Sequence, residues 1–415
     1  MRKYIDGALK ILSKVYDDGS YSNRALSTDK TSDMTTKLVY GVLERNVEID
    51  WVISCLVKKQ PKGNILTLLK IGTYALLHLD NVPHFAIVSE CVEVAKSNGL
   101  KGQSGFLNAV LKRVSRKEFS MPKDKKQCLS VKHSLPMWFI DRLFAEYNKE
   151  DVEALLAKEF STKESIRINS KHSREEVVAR LNEGKIDFCN SEYGTIMASA
   201  DSKIVKDMFN SGWITFQALS SMKAVYALGI KGGGQILDLC SAPGGKAVLM
   251  GEISPESKIT ACDLHKHRVD LVDKYAKRMG VENIKSVVND ATKFRKEWAD
   301  KFDYVLVDAP CSCFGTYKKH PDVFLNREYR HCVELSKIQK AILENAIKYT
   351  KKGGTIVYST CTLFDVENIE VVRSVLDKVE LINFDCDGLP NDQSYIRLLP
   401  SDGSDGFFIA KLKKI

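Results

Sequence analysis

Residues 234–247 read GQILDLCSAPGGKA. The stretch begins apolar and ends on small residues, which marks a strand running into a tight turn and then a helix. Small residues at such a turn let backbone N–H groups approach a ligand closely, and the helix N-terminus favours anionic groups. The turn is not the dinucleotide pattern G-x-G-x-x-G, because Cys240 and Ala242 occupy the expected glycine positions. Nor is it a phosphate-binding P-loop. Ala247 stands where that loop needs Ser or Thr, and no glycine lies five residues before Gly245.

The following sequence repeats the strand–helix theme. KITACD predicts a second strand and Lys266 to Met279 a helix; NIKSVV predicts a third strand and FDYVLVDAP a fourth. A long helix is predicted from about Arg327 to Tyr349, then a fifth strand, GGTIVYST, and a late one, DGFFIAKL. Alternation of this kind predicts a doubly wound parallel sheet that binds ligands at the C-terminal ends of its strands. Those ends carry acids. Asp263 lies 18 residues after Gly245, near the spacing at which an acid meets ribose hydroxyls. Asp290 follows the third strand, where a carboxylate can accept from an adenine amino group, and Asp308 closes the fourth. A lone strand-end Asp is more often a cap or turn residue. Polar groups at four consecutive strand ends point to a site.

Two thiols follow neighbouring strands: Cys311 in Asp308-Ala309-Pro310-Cys311-Ser312 and Cys361 in Tyr358-Ser359-Thr360-Cys361-Thr362. A cytosine ring is a poor nucleophile at C5. A thiolate adding to C6 makes C5 electron-rich enough to take a methyl group from a sulfonium. Covalent catalysis of this kind calls for a thiol of lowered pKa. A hydrogen bond or proton at cytosine N3 stabilises the adduct, and Asp308 is placed for that. A second group must remove the C5 proton before the thiol leaves. Taken singly, either cysteine reads as a buried structural thiol.

LDLCSAPGGK, DAPCS and YSTCT, in this order, resemble the RNA cytosine-5 methyltransferase family of the Sun (NOL1/NOP2) type. The resemblance covers about residues 205–415; GWITFQALSSMKAV is similar to the element before the sheet and LLPSDGSDGFFIAKL to the C-terminal strand. It implies that Cys361 is the nucleophile and that Cys311 assists release of the methylated base. The DNA cytosine methyltransferases would make the Pro-Cys thiol the attacker; the combined motifs match the RNA enzymes. It also implies S-adenosylmethionine as cofactor, held by Cys240, Ser241, Ala242, Pro243, Gly244, Gly245, Lys246, Asp263, Asp290 and Asp308. Cys313 and Phe314 depart from the pattern, which usually has a small residue and a variable one before the glycine. Lys318, Lys319 and His320 follow and suit RNA phosphates, with a solvated basic loop as the plainer reading.

The first part of the chain, 1–145, reads as helical. Leu68, Ile71, Gly72 and Ala75 share a face, as do Val88, Cys91, Val92 and Ala95, and Leu107, Val110, Leu111 and Val114. This all-α part, with its segment FLNAVLKRV, resembles the NusB family. Residues 146–215 read as a small α+β module: SIRINS and YGTIMAS as strands, SREEVVARLNEG as a capped helix. The resemblance makes residues 216–415 an α/β, Rossmann-like class I methyltransferase part. A NusB-like bundle joined to this catalytic part resembles the small-subunit rRNA methyltransferases of the Sun type. That implies 16S rRNA as partner, with cytosine 967 as target, and makes the middle module an RNA-binding insert. The same chemistry on tRNA or another rRNA site, or a non-catalytic RNA-binding assembly factor, are the competing readings.

Composition sets outer limits. The 415 residues carry a net charge of +9, which suits a polyanion. The 11 cysteines form no CxxC pair, so no structural metal is expected. The N-terminal MRKYIDGALKILSKVYDDG lacks a signal-peptide core, and no apolar run reaches the roughly 20 residues of a membrane helix. A cytoplasmic protein with no membrane partner, acting as a monomer, is expected.

Overall fold

The computed structural model describes residues 1–18, 32–158, 163–384, 394–401 and 403–415. Asp402, within the LLPSDGSDGFFIAKL stretch, lies outside them. Contacts divide the chain into two compact units: Met1–Leu156 with Tyr317–Tyr329, and Ala157–Thr316 with Arg330–Ile415.

The first unit is helical. Its central helix, Asn64–His78, buries residues all round, including Leu68, Ile71, Gly72 and Ala75. Helices Arg2–Asp18, Asp33–Glu44, Asn46–Leu56, His84–Ser97 and Ser104–Ser115 supply the rest of one apolar core. The faces fall where the helical period puts them, with one exception. Val92 is half-buried and Val94 is inside instead. The segment Tyr317–Tyr329 belongs to this unit although it is distant in sequence. Tyr317 and Phe324 set their rings 5.4 and 4.9 Å from Phe139, and the Arg142 guanidinium lies 3.6 Å over Tyr329. Edge-to-face ring pairs of this kind add about 0.5–1.5 kcal/mol each beyond burial.

The second unit holds two sheets. Strands β1 (Glu164–Ile168), β2 (Phe188–Asn190), β3 (Ile196–Ala198) and β4 (Ile214–Phe216) form an antiparallel sheet in the order β2-β3-β1-β4. Ile166, Val177, Leu181, Ile196, Val205 and Ile214 give it a core of its own. The helix Arg174–Glu183 starts with a reciprocal cap between Ser173 and Glu176 and ends at Gly184.

The large sheet comprises β5 (Gln235–Asp238), β6 (Lys258–Asp263), β7 (Ile284–Val288), β8 (Phe302–Asp308), β9 (Thr350–Thr360), β10 (Val379–Leu381), β11 (Tyr395–Leu398) and β12 (Phe407–Lys414). Its order is β10-β12-β9-β8-β5-β6-β7, with β11 pairing β12. Strands β5 to β9 are parallel to their neighbours. The expectation of a parallel sheet needs correcting at one edge, where β12 runs antiparallel to β9, β10 and β11. Antiparallel edge strands on a parallel core are common, because they need no crossover helix. Val305, Leu306 and Val307 in β8 are fully buried, as expected of a strand covered on both faces. Each contributes roughly 1.5–3 kcal/mol by leaving water. Chain order reverses between β5 and β8, so the crest of the sheet has its topological switch point there.

Candidate active site

The turn after β5 is held by its neighbours. Leu239 N–H donates to Leu306 O at 3.1 Å and Ser241 N–H to Cys262 O at 2.7 Å. Gly244 has φ +109°, which favours glycine, and a Cβ there would come within 3.1 Å of the Val272 backbone. The helix Gly245–Ile253 starts immediately after it.

Three buried polar side chains on this crest carry atoms that make no hydrogen bond of ordinary geometry among the described residues. Both oxygens of Asp238 lack a hydrogen bond of ordinary geometry, as do Ser241 Oγ and Asn289 Nδ2. Burial, reinforced by the charge of Asp308, pushes the Asp238 carboxyl up to about 7. An unmatched buried carboxylate costs free energy, and a cationic amino group close to it would remove that cost. The crest thus suits a ligand with an amino-acid end and a polar base. Asp263 is buried and accepts from Arg268 Nε at 2.9 Å and from Ala242 N–H at 3.3 Å. Asp290 accepts from Thr292 Oγ1 at 2.6 Å; that bond holds its carboxyl below the usual range.

At the ends of β8 and β9 the groups are tied together. Asp308 pairs in register with Ser359. Its carboxylate accepts from Ser359 Oγ at 2.9 Å and from Lys246 Nζ at 2.7 Å. Burial works against the Lys246 charge, yet Asp308 outweighs it and holds the ammonium above its ordinary value. Cys311 and Cys361 follow these strand ends, and their sulfurs lie 3.3 Å apart. Cys311 is buried and Cys361 half-buried. Both thiols sit well above the ordinary value. For Cys311 the hydrogen bonds to Cys313 and Cys361 are responsible, with burial behind them. For Cys361 the contact with Cys311 favours the thiolate, but Cys313 and burial outweigh it. The lowered thiol pKa expected of a nucleophile is therefore not a property of the protein alone.

Backbone contacts fix the sulfurs. Gly315 N–H donates to Cys361 O at 2.9 Å, and Gly406 N–H donates to Gly315 O at 2.9 Å. A Cβ on Gly315 would fall 1.9 Å from Gly406 O, so only glycine fits. Beneath them, the buried Glu367 accepts from Ser312 N–H at 2.9 Å, Ser312 Oγ at 2.5 Å and Gln339 Nε2 at 2.9 Å.

Asp238 and Glu367 escaped the sequence reading. An acid inside the apolar run QILDLC is a legible signal for the first; nothing in FDVENIE separates Glu367 from a surface acid. Lys318, Lys319 and His320 are exposed and fall in the helical unit.

Comparison with known proteins follows the two-part architecture. The family described as 16S rRNA methyltransferase RsmB/F matches residues 225–413, and the NusB family matches residues 6–116. The probable ribosomal RNA small subunit methyltransferase B of Bacillus subtilis is 31% identical, over 99% of this chain and 98% of its own length. The ribosomal RNA small subunit methyltransferase B of Klebsiella pneumoniae is 31% identical over 93% of this chain and 91% of its own. The crystal structure of PH0851 superposes with a TM-score of 0.85 at 25% identity, covering 100% of this chain and 99% of that one. A methyltransferase homolog protein from Pyrococcus horikoshii covers 71% of this chain and 100% of its own, with a TM-score of 0.59 at 26% identity.

Proposed function

This chain belongs to the ribosomal RNA small subunit methyltransferase B family, and from that premise we propose that it methylates C5 of a cytosine in 16S rRNA, with Cys361 as the attacking thiol. The target is the family's position, cytosine 967. The observation that carries the reading is the 3.3 Å contact between Cys311 and Cys361, next to the Lys246–Asp308 pair.

S-adenosylmethionine, when bound, supplies the methyl group that C5 takes up. Residues Cys240 to Lys246, Asp263 and Asp290 would hold it, and Asp238 joins them as partner for a cationic amino group. Cys361 Sγ gives up its proton to solvent and forms a bond to C6 of cytosine, and the electron pair of the C5–C6 double bond moves to C5. Cys361 is the less buried sulfur, so its thiolate is more easily reached by water than that of Cys311. The Lys246–Asp308 pair lies beside the thiols and serves cytosine N3, where negative charge gathers. Cys311, once its own thiol proton has gone to solvent, takes the C5 proton, the C5–C6 double bond reforms, and the bond from C6 to Cys361 breaks.

The three parts have separate roles in this reading. Residues 1–145 and 146–215 bind RNA and 216–415 perform the chemistry, in a monomer acting in the cytoplasm. The net charge of +9 and the exposed Lys318, Lys319 and His320 suit phosphates. The target is best tested by bisulfite mapping of RNA from a strain lacking the protein. Loss of one 5-methylcytosine in 16S rRNA is expected; an unchanged 16S pattern with a lost tRNA mark would overturn the rRNA assignment.

A further inference from the structure

Cys313 has no task in the chemistry above, and its place is unusual. Its φ is +63°, in the left-handed region where a side chain is uncommon and glycine is at ease. The sulfurs of Cys311, Cys313 and Cys361 all lie within 4.8 Å of one another. We propose that these three cysteines form a thiolate site for a soft d10 metal ion such as Zn2+, and that the bound ion reversibly blocks methyl transfer.

The geometry is close to what such an ion needs. Three sulfurs bound at about 2.3 Å around one centre are roughly 3.8–4.0 Å apart. The Cys311 and Cys361 sulfurs start at 3.3 Å, and Cys313 hangs from the same short loop as Cys311. Small side-chain rotations therefore suffice. Cys313 and Cys361 are half-buried, which leaves a side for a fourth ligand from water. Thiolates select soft ions over Mg2+ or Ca2+. The nearby Lys246 ammonium is neutralised by Asp308 at 2.7 Å, so the cluster does not face an uncompensated cation. Binding releases the three thiol protons to solvent and forms three metal–sulfur bonds. The Cys361 lone pair is then committed to the metal and cannot attack C6. The blocking effect rests on the proposed nucleophile; the metal site itself does not.

The test uses the full chain, reduced and freed of metal with a chelator. Cd2+ titration should give an ultraviolet thiolate-to-cadmium charge-transfer band with a phase saturating at one equivalent, absent in Cys313→Ser and in Cys361→Ala. Zn2+ should halve methyl transfer in the original protein at a concentration at least about tenfold lower than in Cys313→Ser. With chelator present, Cys313→Ser should still transfer methyl groups, and its Zn2+ sensitivity is read against its own metal-free rate. Cys313→Gly, which suits the left-handed backbone, guards against misfolding. A one-equivalent phase that survives both Cys313 variants, or equal Zn2+ sensitivity, would overturn the site. An intact cadmium phase in a protein that methylates no RNA would overturn the proposed function and leave the site standing.

Discussion

The crest of the large sheet has two halves of opposite character. At the ends of β5 and β7, Asp238, Ser241 and Asn289 bury polar atoms that make no hydrogen bond of ordinary geometry among the described residues. At the ends of β8 and β9, Ser312, Thr360, Thr362, Glu367 and Asn368 bond to one another beneath the thiols. The difference separates two kinds of work. A surface that must grip a ligand leaves polar groups waiting for it, at a cost to the empty fold. A surface that must hold reacting atoms in place satisfies its groups in advance, because misplacement of about 1 Å can cost two orders of magnitude in rate.

The largest effect expected is on the thiol half. Cys361→Ala should lower methyl transfer by roughly 10⁴-fold or more and form no covalent RNA adduct. Cys311→Ala should accumulate that adduct as a shifted band on a denaturing gel. The reverse outcome would exchange the two roles. Because both thiols are raised, transfer should increase as pH rises from neutral to mildly alkaline, read in a pH–rate profile of the original protein.

Asp238→Asn probes the waiting half. Losing a bond to a charged partner should weaken S-adenosylmethionine binding by about 1.5–3 kcal/mol, measurable by calorimetry. The same change should stabilise the ligand-free protein at neutral pH. With its folded value raised to about 7 from 3.8, Asp238 contributes stability that is complete below the unfolded value and lost as pH rises through the folded one. Melting curves across this range should therefore flatten in the variant. A slope identical to the original's would remove Asp238 from the account.

Two further substitutions test how rigidly the satisfied half is built. Glu367→Ala strands the Ser312 and Gln339 donors and should destabilise the protein by about 2–4 kcal/mol in chemical denaturation. Gly315→Ala forces Gly406 away and should cost about 1–3 kcal/mol. If both melt like the original, the sulfurs do not depend on this framework. The smallest change is expected from Arg268→Ala: its pair with Asp263 is partly exposed, so stability should fall by less than about 1 kcal/mol.

Much of this was legible in the chain. The helix expected from Lys266 to Met279 is found at those residues, and the five parallel strands fall on the expected stretches. Long, strongly periodic elements announce themselves. The short strands β2, β4, β10 and β11 did not, since three or four residues hold too little alternation to read. The segment Tyr317–Tyr329 could not be assigned to the helical unit either, because nothing local tells an aromatic which distant Phe139 it will meet.

The strand-end positions of Asp263, Asp290, Asp308, Cys311 and Cys361, and the family pattern that groups them, follow from the order of residues alone. Covalent order and periodicity are local properties. Folding is what brings two sulfurs 50 residues apart to 3.3 Å, lets Lys246 neutralise Asp308, and has Cys313 complete a triangle. It also decided the state of the thiols. Their protonation depends on burial and neighbouring groups, which exist only once β8 and β9 lie side by side.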